Sequence, residues 1–313
     1  MDEIGGYKLR MRIFLMIIVI SKLLCSIPGG FQGNFISDNI DAKSSGYGMI
    51  GVTNNNNLFG PNYNPSLITE KKLTASIAYN HLDLDRYKNS VIVSYSLPPN
   101  GQASLGYTSS GVKNIIGRNS IGQKTDNFTW SNHHLYFVFG VKPYSKLSAG
   151  IKLNIFYQRL IEEVNSRGLG LDLGISLELV EFIDIGISVK NIAANSRWKI
   201  KMDDGTMRDY SEAFPLILSM GGNVEIGNLS ILNQIDIFNY NSLGYIGNEK
   251  KFGLEYRLND FSTPIFIRSG INDKYYTLGL SIRANKILEF NYGLLLNKDN
   301  SIYTHSFTWD FDI

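Results

Sequence analysis

Few residues in this 313-residue chain have the types and spacing that chemistry requires. Its histidines are His81, His133, His134 and His305. Metal ligation wants His beside Cys or a carboxylate at short fixed spacing, and none of the four has it. His133 and His134 open an alternating segment, where adjacent side chains point to opposite faces. The one cysteine, Cys25, excludes a disulfide framework and a cysteine-based zinc site. Residues Gly46, Gly48 and Gly51 spell G-x-G-x-x-G. A dinucleotide fingerprint also needs a preceding strand, a following helix and an acid about 20 residues on. Here the run Asn54–Asn57 and several prolines follow instead. There is no G-x-S-x-G elbow, and His305 has no obvious Ser partner for a hydrolytic triad. Glu162-Glu163 reads as solvated loop, as do the glycosylation-like triplets Asn127-Phe-Thr and Asn228-Leu-Ser. The expectation is a protein with no catalytic, cofactor-binding or metal-binding residues.

The chemistry-bearing residues are therefore read through the elements that carry them. Lys plus Arg is 30 against 28 for Asp plus Glu, too even a balance for a nucleic-acid binder. Charged residues make up only 19%, while Gly reaches 30 residues and aromatics 12%. No run of 18 apolar residues exists, so helical membrane spans are excluded. Near the amino terminus a basic stretch (Lys8–Arg12) precedes an apolar run (Ile13–Leu24) and a small-residue exit, the pattern of a secretory signal peptide over 1–28. The start residue, Met1 or Met11, is left open, as is the cleavage site.

From Leu73 onward the sequence alternates with period two, as strands with two unlike faces do. Leu169, Leu171, Leu173, Ile175, Leu177 and Leu179 alternate with Gly170, Asp172, Gly174, Ser176 and Glu178. Fourteen such segments can be placed, mostly longer than the five or six residues of ordinary strands and near the 9–11 of membrane-crossing ones. Short turns alternate with longer loops at 112–132, 159–167 and 193–213, as in outer-membrane barrels. The charged residues of the later segments gather on the face opposite the apolar one: Lys152, Asp172, Glu178, Lys190, Glu255, Arg257, Arg268, Arg283 and Glu289 among them. A charge facing lipid at the midplane costs roughly 2–4 kcal/mol, so this face is expected to line a polar lumen. Backbone groups in lipid must all be paired, which requires the strands to close into a ring. The expected fold is all-β: a fourteen-stranded antiparallel transmembrane barrel over 71–313. Residues 29–70, turn-rich and polar, are expected to form a hatch or plug, with inward glycines leaving room for it. Arg197, Trp198 and Lys199, in the 193–213 loop, are a candidate surface contact.

The order of motifs resembles a known group. A Gly-x-Gly stretch and Asn64-Pro65-Ser66 precede paired long strands. Then come Gly168-Leu-Gly-Leu-Asp-Leu-Gly174, Val189-Lys190-Asn191-Ile192 and Trp198. Over about 44–313 the chain resembles the PorV/PorQ family of outer-membrane proteins, relatives of the FadL-like fourteen-stranded barrels. The resemblance implies a place in the bacterial outer membrane and a role in type IX protein secretion or surface attachment of cargo. Secretion-system components or cargo would be the partners, beside outer-membrane lipid. It also implies that Gly46, Gly48, Asn64 and Pro65 belong to the hatch. Two alternatives stay open: a FadL-like transporter of hydrophobic small molecules, and a structural outer-membrane protein.

Overall fold

In the computed structural model, Phe35 and residues 40–53, 56–69, 71–161, 164–202, 205–240, 245–259, 263–299 and 303–313 are described. The signal-like stretch with Cys25, Asn54-Asn55 and Glu162-Glu163 lie outside the described residues. Long alternating segments become strands: β1 (Leu73–His81), β2 (Arg86–Leu97), β3 (Gly101–Arg118), β4 (Lys124–Tyr144) and β5 (Leu147–Ile161). They continue as β6 (Val164–Val180), β7 (Ile183–Lys201), β8 (Met207–Ala213), β9 (Leu216–Ile226) and β10 (Leu229–Tyr240). The series ends with β11 (Tyr245–Leu258), β12 (Ile265–Asn272), β13 (Tyr275–Arg283), β14 (Leu288–Asn297) and β15 (Tyr303–Asp312).

Apart from β8 and β9, chain neighbours pair antiparallel, and β1 closes on β15 from Thr74↔Asp312 to His81↔His305. The ring has fourteen positions. β8 and β9 share one of them: β7 pairs with β9 over Ile183–Lys190 and with β8 over Asn195–Lys201.

Solvent exposure identifies the two faces. Outward Leu153 is 55% exposed, while its neighbour Asn154 is 2% exposed. Ile151, Ile155, Leu173, Ile175, Leu177, Leu278 and Leu280 are likewise exposed apolar residues. On β5 the outward apolar series runs from Leu147 to Tyr157 and ends at Arg159. Ten steps from residue to residue at about 3.3 Å each, tilted by about 40°, make a belt about 25 Å high, the hydrocarbon span of an outer membrane. Buried positions on the strands are instead dominated by Ser, Thr, Asn, Gln and charged residues. Exposed leucines with buried serines reverse the distribution of a water-soluble protein and fit a barrel standing in lipid.

The three expected long loops are mostly strand. β3 and β4 continue pairing up to Arg118↔Lys124, β5 and β6 to Ile161↔Val164, and β7 and β8 to Lys201↔Met207. Beyond the belt both faces of these hairpins meet water, so apolar–polar contrast fades while the ladder goes on. The sequence signal ended where the lipid did.

Residues 40–53 and 57–67 lie buried inside the ring. They contain two short helices, α1 (Ala42–Gly46) and α2 (Gly60–Tyr63). Asp41 caps α1 through Ser44 N at 3.0 Å, and Pro61 sits in the first turn of α2, where its missing N–H costs nothing.

Candidate functional site

The lumen is built by residues too small to fill it and by polar residues that bind what does. Gly140, Gly150 and Gly174 are register partners across β4, β5 and β6. A Cβ at Gly150 would collide with the Pro65 carbonyl, and one at Gly174 with Asn64 Oδ1. Only glycine permits such an approach. On the opposite wall the paired Gly253 and Gly270 receive Tyr47 and Gly48, and Gly46 packs against Gly279. Gly48 itself has φ +83, a conformation open to glycine without strain. The G-x-G-x-x-G spelling thus serves backbone packing.

Polar strand residues complete the seat. Thr277 Oγ1 accepts from Gly48 N at 2.8 Å and donates to Gly46 O at 3.1 Å. Gln234 Oε1 accepts from Gly51 N and Val52 N at 2.9 and 3.1 Å. Thr308 Oγ1 accepts from Ala42 N at 2.8 Å. Asn64 Nδ2 donates to Val52 O at 2.8 Å, while its Oδ1 accepts from Ser66 Oγ at 2.7 Å. Asp41 ties the segment to itself, accepting from Ser44 Oγ at 2.8 Å, Asn57 Nδ2 at 3.0 Å and Tyr63 OH at 2.7 Å. Burial, and then the nearby Asp41 charge, pushes the Tyr63 phenol well above its ordinary pKa.

Ion pairs occupy what remains. Lys152 Nζ lies 2.7 Å from Asp172 on the next strand and donates to Asn62 O at 2.6 Å. Lys251 pairs with Asp236 at 2.7 Å. Lys43 reaches from α1 to Glu289 at 2.7 Å and Asp310 at 2.9 Å. Burial alone would lower the Lys43 pKa, but Asp310 and Glu289 outweigh it and hold the ammonium above its ordinary range.

Of the charged residues singled out in the sequence, Glu255, Arg257, Arg268, Arg283 and Glu289 meet around one cavity of about 210 Å³ at the short-turn end, with Lys43 and Asp310. Arg268 pairs with Glu255 at 2.5 Å and Arg283 with Glu289 at 2.8 Å. Lys152, Asp172 and Lys190 stand elsewhere, around α2; Lys190 lies 5.8 Å from the Tyr63 ring centre. Glu178 is apart from both groups, opposite Asp184.

Arg197, Trp198 and Lys199 are corrected from loop to strand β7. Alternation splits them: Arg197 and Lys199 are exposed, while Trp198 turns to the other face and donates from Nε1 to Glu212 at 3.1 Å. His133 and His134 also face opposite ways; His134 is buried beside Asn154 at 2.8 Å, and His133 bonds Tyr107 OH at 2.7 Å outside.

Sequence reading missed a second lumenal feature. Between Lys190↔Ile217 and Asn195↔Ala213 the β7 ladder is interrupted. Asn191 and Ala193 there adopt positive φ, 61 and 52. Pro215, which has no N–H, sits opposite, and the break is bridged by Phe214 N to Ala194 O (3.1 Å) and Asn191 Nδ2 to Pro215 O (3.0 Å). Directly inside, Phe156, Ala194 and Phe214 form an apolar cluster; Phe156 stacks on Phe214 at 4.8 Å, and Phe35 meets Phe156 edge-on at 6.4 Å. Phe214-Pro215 between two alternating runs was the available signal.

A closed fourteen-stranded ring with an apolar exterior and a polar interior defines the class: an outer-membrane β-barrel of the bacterial kind. Solved structures make the fold specific. The CymD monoaromatic hydrocarbon channel superposes with TM-score 0.64 at 13% identity, over 91% of this chain and 99% of that one. The toluene transporter TodX of Pseudomonas putida gives 0.59 at 10% identity, over 85% and 95%. A FadL homologue of Pseudomonas aeruginosa gives 0.60 at 8% identity, over 88% and 98%. The fold is therefore that of the FadL-type barrels. No family model matches the sequence, and no curated protein does.

Proposed function

We propose that this barrel passes small apolar molecules, of the size of a monoaromatic hydrocarbon, from the cell exterior into the outer membrane's vicinity by a route that leaves through its wall. The carrying observation is the apolar Phe156–Ala194–Phe214 cluster set directly behind the interrupted ladder at 191–195. Elsewhere the lumen holds buried ion pairs and hydrogen-bonded backbone, which an apolar solute could cross only by displacing polar contacts, and two further apolar clusters, around Phe59 and Ile92 and around Tyr47, Ile50 and Leu232, which tie the inner segment to continuously paired strands. Of the three apolar clusters among the described residues, the one at Phe156, Ala194 and Phe214 is the one that adjoins a break in the wall's pairing. Likeness to channels for monoaromatic hydrocarbons and toluene supports the choice of solute class. Uptake of a labelled monoaromatic probe by cells carrying Ala194→Trp should fall severalfold, while Phe214→Ala, which widens the same place, should not reduce it. Unchanged uptake with Ala194→Trp, in a barrel that still shows heat-modifiable migration, removes the reading.

A second reading is type IX secretion or surface attachment of cargo, which the PorV/PorQ resemblance implies. The observation favouring it is the set of paired hairpins above the belt, with Arg197 and Lys199 exposed on one. Normal secretion in a deletion strain, with no secretion components recovered on the tagged barrel, would exclude it.

A further inference from the structure

The outer wall carries a basic cluster at the top of the apolar belt, on the hairpins' side. On β6 the outward series Leu177, Ile175, Leu173, Leu171, Leu169 ends at Arg167. Arg167 is paired in register with Tyr157 on β5 and Arg197 on β7. One row higher, Arg159, Asn165 and Lys199 are likewise register partners. Arg159, Arg167, Arg197 and Lys199 are all exposed. Among the described residues no ion pair engages Arg167 or Arg197, and Asp209 is the one acid facing the cluster by register, opposite Lys199. Like charges directly across a strand pair, Cβ atoms about 5 Å apart, destabilise a sheet. Arg167 and Arg197 accept that cost at the height where hydrocarbon ends. In the same row Tyr157 stacks with His133, itself bonded to Tyr107, giving the amphipathic ring layer of a membrane interface.

We propose that Arg167 and Arg197, flanked by Arg159 and Lys199, bind the phosphate of an acylated glycolipid in the outer leaflet, with its acyl chains laid along Leu169, Leu171 and Leu173. Two guanidinium forks presented side by side suit a phosphate's oxygens and turn their mutual repulsion into shared attraction. The acyl chains supply apolar burial that a free anion lacks, so the ligand is the lipid and not phosphate in solution. This inference goes beyond solute passage and does not depend on it.

The test is native mass spectrometry of the full barrel in nonionic detergent, titrated with diphosphorylated lipid A and with its dephosphorylated form. Wild-type protein is expected to bind the phosphorylated lipid roughly tenfold tighter than the dephosphorylated one, the difference expected of charge-assisted hydrogen bonds to phosphate. Arg167→Ala/Arg197→Ala should lose that preference, and Lys113→Ala, on another part of the wall, should keep it. Equal affinity of wild type for the two lipids overturns the proposal without any variant, so a misfolded double variant does not shelter it. Displacement of the lipid by millimolar inorganic phosphate also overturns it, because a free-anion site would then explain the cluster.

Discussion

Lys43 shows how single residues hold the lumen together. Its ammonium sits between Glu289 and Asp310 with all three side chains almost fully buried. Breaking a buried pair by removing one partner strands the other charge and costs about 3–5 kcal/mol. Lys43→Met should lower the urea midpoint of the refolded barrel accordingly, and an unaltered midpoint would show that the contact contributes nothing. The pH dependence has a definite sign. The folded pKa of Lys43 is raised above the unfolded 10.5, so its contribution is complete below 10.5 and disappears as pH climbs through the folded value. Wild type should lose stability in that alkaline range by more than Lys43→Met does, as read by unfolding at a series of pH values. Sequence made such residues half legible. Period-two alternation put Lys152 and Asp172 on one face, and register made them a pair. It gave no hint that Lys43, 246 residues before Glu289, would be the latter's cation, because nothing local links a turn-rich segment to a distant strand.

At the scale of elements, legibility followed the solvent. Strands inside the belt are the most legible, because lipid on one side and polar lumen on the other enforce alternation. Hairpin tops were read as loops for want of that contrast, although β3–β4 pairs onward to Arg118↔Lys124. The split between β8 and β9 was read as one strand preceded by a loop, since a ladder defect leaves only Phe214-Pro215 as a trace. The belt makes a graded expectation. Leu153→Arg, at mid-height on β5, should destabilise the folded barrel in phospholipid by about 2–4 kcal/mol. The same change at Tyr157, near the rim, should cost about 1 kcal/mol or less. Equal costs at both depths, measured by reversible unfolding in vesicles, would deny that this face meets lipid.

For the whole molecule the decisive relation is between ring and filling. Fourteen strand positions enclose a lumen into which residues 40–53 and 57–67 are packed against glycine seats, threonine and glutamine hydrogen bonds, and three buried ion-pair groups. Such a barrel is a wall with a filled centre, and the proposed route for a solute is the apolar cluster at the β7 break. Ion conductance across a planar lipid bilayer tests this most directly. Wild-type barrel should show no steady open pore in potassium chloride, whereas excision of residues 40–66 should produce one. A steady ohmic conductance from the intact chain, matching that of the excised form, would contradict the account.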